Sequence, residues 1–383
     1  MRNTRPSRLL VRHAGSALAL VAFLSLPAAA QLKLGISGPL EGKNAGSMLE
    51  ILKGAEIHIQ QVNQAGGVHG QKVLLVARDD NFEVSRTVVV VKQLIEKDNV
   101  LALLLVRGTP HNEAILPMLA QYKVALIGPS TGAMVFHQPV NPYVFNVRTA
   151  YQLEAKELVA LLKTTQMRRI AVLYVADGFG KDVLVGLKEG FMEASLLPTS
   201  VTAFDRDAGA KDSTDWVAPH MKQLLAADPE VIIVVGAGLA VKNATFAIRA
   251  AGSTAKIATL SNNASTAFIK MMGPHARGVI VSQVFPDVRN HVNGLVREAQ
   301  IAAHRNKVTL TPGMMEGFAA AKVAVEALKT AGATPTRSSV LRALDSMEKL
   351  DMGNVTVGFS PKDHTGLEMT DLSMITKDGT FLR

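Results

Sequence analysis

The dominant feature of this sequence is the alternation of short, nearly continuous Val/Ile/Leu runs with longer amphipathic stretches from residue 32 onward. Such runs are typical of strands covered on both faces, as in a parallel sheet with helices on each side. The longer stretches, such as Leu49–Val62 and Val84–Glu96, repeat apolar residues at helical spacing. The pattern therefore predicts strand–helix–strand units and an α/β fold. The predicted strands are Leu32–Ser37, Lys72–Arg78, Val100–Val106, Val124–Ile127, Ile170–Val175, Val231–Val235, Lys256–Leu260 and Gly278–Gln283.

The number of these units predicts two lobes rather than one. The eight predicted strands exceed the roughly four to six strands of an ordinary sheet. The length of 383 residues also exceeds that of a typical domain of about 100–200 residues. Prolines interrupt the pattern at His137–Arg148 and again at Val284–Asp287. Three helical segments then follow in a row, Asn290–Asn306, Pro312–Ala331 and Arg337–Lys349, before tail strands at Gly353–Phe359 and Asp371–Thr376. This order suits a chain that crosses between two lobes more than once.

The first thirty residues have the pattern of a secretory signal peptide. Four arginines and no acidic residue precede an apolar run at Ala14–Leu26, and the small residues Ala28–Ala30 follow. The run is shorter than the roughly 20 residues that span a bilayer as a helix. A membrane anchor or a buried helix is the alternative. We therefore expect residues 1–30 to be cleaved and the product to be periplasmic, with no cysteine to carry a lipid anchor.

Composition and motifs argue against several classes of function. The absence of cysteine excludes disulfides, thiolate metal sites and cysteine nucleophiles. Part of the formal net charge of +9 lies in the leader and the rest is dispersed, so nucleic-acid binding is not expected. Gly236–Gly238 lacks the third glycine of a dinucleotide fingerprint, and Gly38–Asn44 lacks the spacing of a phosphate loop. The aspartates of Asp205–Asp215 lack the closing glutamate of a calcium loop. We expect no cofactor, no metal and no enzymatic activity.

Loops that follow predicted strands are the candidates for a binding site, because α/β folds bind ligands at strand carboxyl ends. The loops Arg107–Pro110 and Gly128–Gly132 offer backbone N–H groups and hydroxyls beside helix starts, which suit a carboxylate or another small anion. Such loops can also simply turn the chain. Two such loops follow neighbouring predicted strands, and the positive charge of Arg107 lies with them. This combination favours a binding crevice. A third loop, Ser37–Leu40, follows the first predicted strand. The candidates from the three loops are Leu40, Arg107, Gly108, Thr109, Ser130, Thr131 and Gly132.

Several short motifs occur in an order that resembles a known family. They include Leu34–Leu40, Val62–Gly70, Ile127–Ser130, Val144–Arg148 and Gly178–Lys181. The chain from residue 31 onward resembles the type I periplasmic solute-binding proteins of ABC importers, in the branched-chain amino-acid (Leu/Ile/Val) branch. The resemblance implies two doubly wound lobes joined by a three-segment hinge. It places lobe 1 at residues 31–147 plus 285–352, lobe 2 at 148–284 plus 353–383, and the crossings near Arg148, Val284–Pro286 and Val355–Phe359.

The resemblance also implies ligand contacts. In the first lobe the family's contacts with the ligand's carboxylate and amine match Thr109, Ser130 and Gly132, and we add Tyr151 to the predicted site. In the second lobe Phe179 stands where the family often has tyrosine, and Gly238 where it has another aromatic residue. Asn262 aligns with the family's acidic partner of the ligand ammonium. A buried ammonium there would lack its charge partner, so we expect an aliphatic or aromatic carboxylic acid as readily as an amino acid.

Taken with these residues, the resemblance implies a monomeric receptor that captures a small carboxylate-bearing solute by lobe closure. The resemblance further implies delivery of the solute to a membrane ABC permease. Two alternatives remain open from the sequence: an exported enzyme on an α/β scaffold, and a ligand-sensing subunit of a signalling system.

Overall fold

We describe the fold from a computed structural model, which covers Met1 and residues 31–383. The predicted signal peptide lies outside the described residues apart from Met1. Within the described part of the chain, no helix combines the length and the apolar character needed to cross a membrane.

The strands and helices alternate along the chain as predicted. In chain order the strands are β1 (Leu32–Gly38), β2 (Val73–Asp79), β3 (Ala102–Leu104), β4 (Ala125–Ile127), β5 (Val144–Phe145), β6 (Ile170–Val175), β7 (Ser200–Phe204), β8 (Val231–Val235), β9 (Lys256–Thr259), β10 (Ile280–Gln283), β11 (Leu350–Asp351), β12 (Thr356–Val357), β13 (Asp371–Ile375) and β14 (Phe381–Leu382). The α-helices are α1 (Ala45–Gln64), α2 (Val84–Glu96), α3 (Thr109–Tyr122), α4 (Tyr151–Thr164), α5 (Gly178–Ala194), α6 (Arg206–Gly209), α7 (Ala218–Leu225), α8 (Gly238–Ala250), α9 (Thr266–Met272), α10 (Gly294–Arg305), α11 (Pro312–Thr330) and α12 (Arg337–Asp345).

The first half is built on a parallel sheet with the strand order β2-β1-β3-β4-β5. Successive side chains of β3 pack on opposite faces of the sheet. Leu104 packs in the core that contains α1 and α11, whereas Leu103 packs in the core that contains α2 and α3. The α1 and α11 backbones approach closely, since a Cβ on Gly317 would lie 1.8 Å from the Ile51 carbonyl oxygen. Helices thus cover both faces of this sheet, as the continuous apolar runs predict.

The second half repeats this winding. Its sheet has the order β14-β13-β10-β9-β8-β6-β7, in which the strands from β7 to β10 are parallel and β13 joins β10 antiparallel. The sequence did not predict β7, because this edge strand alternates buried and exposed residues instead of being continuously apolar. Of the two tail strands, β12 pairs with β11, and β13 pairs with β10 and β14.

The chain passes between the halves after β5, after β10 and before β13. The limits of the two lobes remain a prediction, but packing favours a later third crossing than Val355–Phe359. The Phe359 ring lies 5.4 Å from that of Phe145, and the Leu367 N–H donates to the Val147 carbonyl at 3.1 Å. Residues 353–367, which the family resemblance assigns to lobe 2, therefore pack against the first half.

Candidate ligand-binding cleft

A cleft of about 560 Å³ lies between the two halves. Strand order reverses between β1 and β3 in the first sheet and between β6 and β8 in the second. In open α/β sheets, ligands bind beside the carboxyl ends of strands at such a reversal. Arg107 and Thr109 follow β3, Val175 ends β6, and Ala237 follows β8, and all four residues line the cleft. Both reversal points therefore open onto the same cleft.

The wall from the first half is polar. It includes Thr109 and Ser130, which are 2% and 4% exposed. The Thr109 hydroxyl shares a 2.6 Å hydrogen bond with Thr131, and α3 begins at Thr109 with its N-terminus at the cleft. Gly108 precedes the helix with a φ of 95°, a conformation that favours glycine. The helix start supplies N–H groups and a positive dipole end to this wall.

Arg107 provides the positive charge at the centre of the cleft. Its Nη1 donates to the Ser130 hydroxyl at 3.1 Å, and its Nη2 donates to the Asn262 carbonyl in the second half at 3.0 Å. Burial lowers the pKa of Arg107, while Glu316 and Tyr151 act in the opposite direction. A guanidinium stays protonated in proteins, so this half-buried group remains a cation. Arg107 therefore connects the polar wall to the opposite half.

A short loop after β2 forms one edge of the cleft. Asn81 and Phe82 line it, and both have left-handed backbone conformations, with φ of 55° and 61°. The carboxylate of Asp80, completely buried, holds the loop by accepting hydrogen bonds from Ser37 and Thr87 at 2.8 Å and from the Phe82 N–H at 3.0 Å. Burial raises the pKa of Asp80. Non-glycine residues in this conformation cost roughly 1–3 kcal/mol and concentrate at functional sites.

The wall from the second half is mainly apolar. Val175, Phe179, Phe204 and Leu239 line it, and each is less than 9% exposed. The Phe179 ring centre lies 4.8 Å from that of Tyr151, which begins α4. Burial raises the pKa of the Tyr151 hydroxyl, so the phenol is neutral. This wall can enclose an aliphatic or aromatic group.

Arg206 is the exception on the second wall. Its Nη1 donates to the Asp177 carboxylate at 2.6 Å, and its guanidinium carbon lies 5.0 Å from the centre of the Phe82 ring in the first half. Two other charged residues, Glu83 and Asp207, line the cleft from exposed positions at its rim.

A buried polar cluster lies where the chain passes from β5 into the second half. Arg148, 2% exposed, donates to Glu154 at 2.5 Å and to the Ser261 hydroxyl at 2.6 Å. Glu154 also accepts from the Ser282 hydroxyl at 2.5 Å. The Arg148 guanidinium carbon lies 4.6 Å from the Tyr151 ring centre. Together these groups fix the base of the cleft where the chain passes between the sheets.

Hydrogen bonds also connect the two halves across the rim of the cleft. Lys43, after β1, donates to Asp212 of the second half at 2.5 Å, and Lys242 donates to the same carboxylate at 2.5 Å. These two bonds lower the pKa of Asp212 to about 2. The hydroxyls of Ser47 and Ser265 share another hydrogen bond between the halves, at 2.7 Å.

The structure brings together seven of the predicted site residues and leaves four outside the cleft. Those that line it are Arg107, Gly108, Thr109, Ser130, Tyr151, Phe179 and Asn262. Leu40 instead donates its N–H to Asp79 at 2.7 Å, and Thr131 lies behind Thr109. Gly132 is buried and accepts the Tyr151 N–H through its carbonyl. Gly238 lines a smaller neighbouring cavity.

The sequence did not identify Phe82, Phe204, Arg206 or Leu239 as cleft residues. Arg206 lies in the aspartate-rich segment Asp205–Asp215, which was considered only as a candidate calcium loop. The available signal for Leu239 was its place directly after Gly238, at the start of a helix that follows a buried strand.

The segment Gly128–Gly132 has the spacing of a G-x-S-x-G nucleophile elbow, so Ser130 needs separate consideration. Its hydroxyl accepts a hydrogen bond from Arg107, and within residues 31–383 no histidine side chain is hydrogen-bonded to it. A nucleophilic serine requires an adjacent base, so this arrangement suits binding and not acyl transfer. In the same part of the chain no group of three or more His, Asp or Glu residues could hold a metal ion.

Comparisons with known proteins agree with this geometry. A family model described as "periplasmic binding protein" matches residues 31–380. The Leu/Ile/Val-binding protein homolog 3 of Brucella melitensis is 23% identical over 333 residues, which are 86% of this chain and 88% of the relative. A substrate-binding periplasmic protein from Ralstonia solanacearum is 31% identical with a TM-score of 0.81, covering 92% of this chain and 99% of that one. A fatty acid ABC transporter substrate-binding protein from Thermomonospora curvata shares the fold at 19% identity, with a TM-score of 0.79 and coverage of 92% and 91%.

Proposed function

Because the chain belongs to the periplasmic binding protein family, we propose that it is an extracytoplasmic receptor that captures a small carboxylate-bearing solute between its two halves. The observation that carries the proposal is the juxtaposition of Arg107, Ser130 and the start of α3 opposite an apolar wall in one cleft.

The polar wall suits a carboxylate. A guanidinium presents a fork of N–H donors that matches a carboxylate, and a helix start adds N–H groups and a favourable dipole. Arg107 and Thr109 provide these two features within one loop. The Ser130 hydroxyl lies within hydrogen-bond distance of Arg107, so it can donate to the same anion.

The opposite wall suits the rest of the solute. Phe179, Phe204 and Leu239 would remove an aliphatic or aromatic body from water. At the centre of the cleft Asn262 offers an amide and not a carboxylate, and the acidic residues Glu83 and Asp207 lie at the exposed rim. An α-ammonium at the centre would lack an ionic partner, which favours a carboxylic acid without one. An amino acid is the second candidate, because a relative across most of the chain is named a Leu/Ile/Val-binding protein homolog.

We propose further that the receptor is monomeric, is exported by its leader and delivers the solute to an ABC permease. The leader pattern of residues 1–30 supports export. The shared fold with the Thermomonospora curvata protein, a substrate-binding protein of an ABC transporter, supports the permease as the partner. Closure would depend on a ligand that contacts both walls.

A ligand screen tests the proposal. Purified protein is heated in the presence of 4-methylpentanoate, hexanoate, benzoate, leucine or valine, with the amide 4-methylpentanamide as the matched uncharged control. At least one acid should raise the unfolding temperature and reduce the radius of gyration in X-ray scattering, and the amide should do neither. Equal stabilisation by acid and amide would contradict carboxylate recognition, and no response to any acid would contradict the proposal as a whole.

A further inference from the structure

We propose that Glu316 acts on the solute through Arg107, as a counter-charge that lies behind the guanidinium and limits how tightly the cleft holds a carboxylate. The inference rests on the function proposed above and adds to it a residue that lies outside the cleft. Glu316 is thus a positioning residue, because a solute in the cleft does not touch it.

Glu316 is a buried acidic side chain whose capacity for hydrogen bonds is not fully used. It belongs to α11 and is 8% exposed. Its Oε1 atom is buried and has no hydrogen-bond partner among the described residues. A buried carboxylate is costly unless hydrogen bonds or an opposite charge compensate it. Glu316 therefore needs a cation nearby.

A small cavity places Glu316 beside Arg107. The cavity has a volume of about 20 Å³, and its lining includes Glu316, Arg107, Asn262 and Arg383. A single water molecule needs roughly 10–15 Å³, so the cavity has room for water but not for a solute. Glu316 and Arg107 therefore share a space that the solute cannot enter.

Arg107 separates this cavity from the cleft. Of the described residues, Arg107 and Asn262 alone line both spaces. The two are joined by the 3.0 Å hydrogen bond from Arg107 Nη2 to the Asn262 carbonyl. The same guanidinium donates through Nη1 to Ser130 on the polar wall of the cleft. It therefore has the cavity with Glu316 on one side and the proposed carboxylate site on the other.

The charges around Glu316 leave Arg107 as its partner. The other cations that interact with Glu316 or line the cavity already have carboxylate partners, in the pairs Arg148–Glu154 and Arg383–Asp371. Arg107 donates instead to a hydroxyl and a backbone carbonyl. Burial lowers the pKa of Arg107, and Glu316 is the strongest of the charges that oppose this effect.

This arrangement has a defined effect on a bound anion. A solute carboxylate on Arg107 would share the guanidinium with a second negative charge on its other side, and like charges repel. Glu316 therefore opposes the binding that Arg107 favours, and most of the effect should appear in the rate at which the solute leaves. A receptor that delivers its solute has to release it, so a limit on affinity agrees with the proposed function.

Removal of the charge tests the inference on the chain from residue 31 onward. Hexanoate, benzoate and 4-methylpentanoate are titrated by calorimetry, and their dissociation rates are measured by rapid mixing. Glu316→Gln and Glu316→Met, two neutral side chains of similar length, should each lower the Kd of every acid that the native protein binds by about tenfold. The dissociation rate should fall in proportion. Glu316→Asp, which keeps the charge, should leave the Kd within about threefold.

The direction of the change separates this role from a merely structural one, because a damaged fold weakens binding. Glu298→Gln is the matched control and should leave the Kd within about twofold. Glu298 lies in the first half, forms an ion pair with Lys322 and lines neither the cavity nor the cleft.

The remaining outcomes decide between the two proposals. Unchanged or weaker binding of the acids in both neutral Glu316 variants would overturn the inference and leave the proposed function intact. A comparable gain in affinity for the uncharged 4-methylpentanamide would also overturn it, since the effect would not depend on charge. Failure of every acid to bind to the native protein and to the variants would overturn both proposals.

Discussion

The two halves of the molecule have the same core winding but present different chemistry to the cleft. The order β2-β1-β3-β4-β5 of the first half corresponds strand for strand to β7-β6-β8-β9-β10 of the second. The first half nevertheless contributes Arg107, Thr109 and Ser130, whereas the second contributes Phe179 and Leu239. The fold therefore sets where a ligand binds, and the side chains after each strand decide what is recognised.

The halves differ also in their buried histidines. His58, His111 and His137 all belong to the first half and are at most 5% exposed. Burial, as the main cause, lowers the pKa of His58 to about 3 and that of His111 and His137 to about 4. In the second half, His220 and His275 are only partly buried. Burial therefore lowers the pKa of histidines most strongly in the first half.

The largest expected effect comes from a charge on the polar wall. Ser130→Asp should weaken binding of the best carboxylate about a thousandfold or more, because a second anion would be buried against the first. Ser130→Ala, which removes the hydroxyl alone, should cost about tenfold or less. Calorimetric Kd values check both.

Ala237→Asp gives the matched comparison on the second wall, since Ala237 is a partly exposed cleft residue. Ala237→Asp should raise the Kd of the best carboxylate by a factor at least tenfold smaller than Ser130→Asp does. If the two substitutions weakened carboxylate binding equally, both walls would contact the carboxylate. The assignment of the carboxylate to the first half alone would then be wrong.

Acidification should destabilise the protein through the first half. The folded pKa of each buried histidine lies below its unfolded value near 6.5, so the unfolded chain binds more protons between about pH 6.5 and 4. Stability should therefore fall as the pH falls through this range, by up to about 1.4 kcal/mol per pH unit for each histidine. Urea unfolding at several pH values measures the slope.

His111→Leu should flatten that pH dependence, because the buried imidazole with its lowered pKa is removed. The His111 ring stacks on Phe82, so a volume-matched His111→Phe variant controls for lost packing. An unchanged slope in both His111 variants would show that this histidine does not titrate on unfolding.

The smallest change in ligand affinity is expected from substitutions in the apolar wall. Phe179→Ala should weaken binding of benzoate or hexanoate about tenfold, because it removes ring area that would cover the solute. Propanoate, too short to use that area, should bind with an unchanged Kd. Phe179→Leu should lie between native protein and Phe179→Ala for the larger acids. A uniform loss for all chain lengths would mean that Phe179 supports the carboxylate site and not the shape of the cleft.

Much of the fold could be predicted because its central strands are buried on both faces. The runs at Ile170–Val175 and Val231–Val235 became strands with the predicted limits. The edge strand Ser200–Phe204 was missed, since it alternates buried residues with exposed ones. The packing of Phe359 on Phe145 could not be predicted either, because it joins distant parts of the chain.

The same distinction explains which cleft residues could be predicted. Arg107 and Ser130 were identified because they follow apolar runs that are easily interpreted as strands. Arg206 follows the strand that was missed, so its loop was not placed at the end of a strand. Phe82 enters the cleft through a left-handed backbone turn, a conformation that residue preferences disfavour and that the buried Asp80 stabilises.

The close packing of α1 on α11 has a consequence for how the chain matures. Every parallel strand of the two large sheets ends by Gln283, yet the helix that covers the β1 side, residues 312–330, comes later in the chain. Until then the first half has an incomplete core and cannot settle into its native state. In a chain made from its N-terminus, the first half can therefore complete its core only after every parallel strand of the second half has been made.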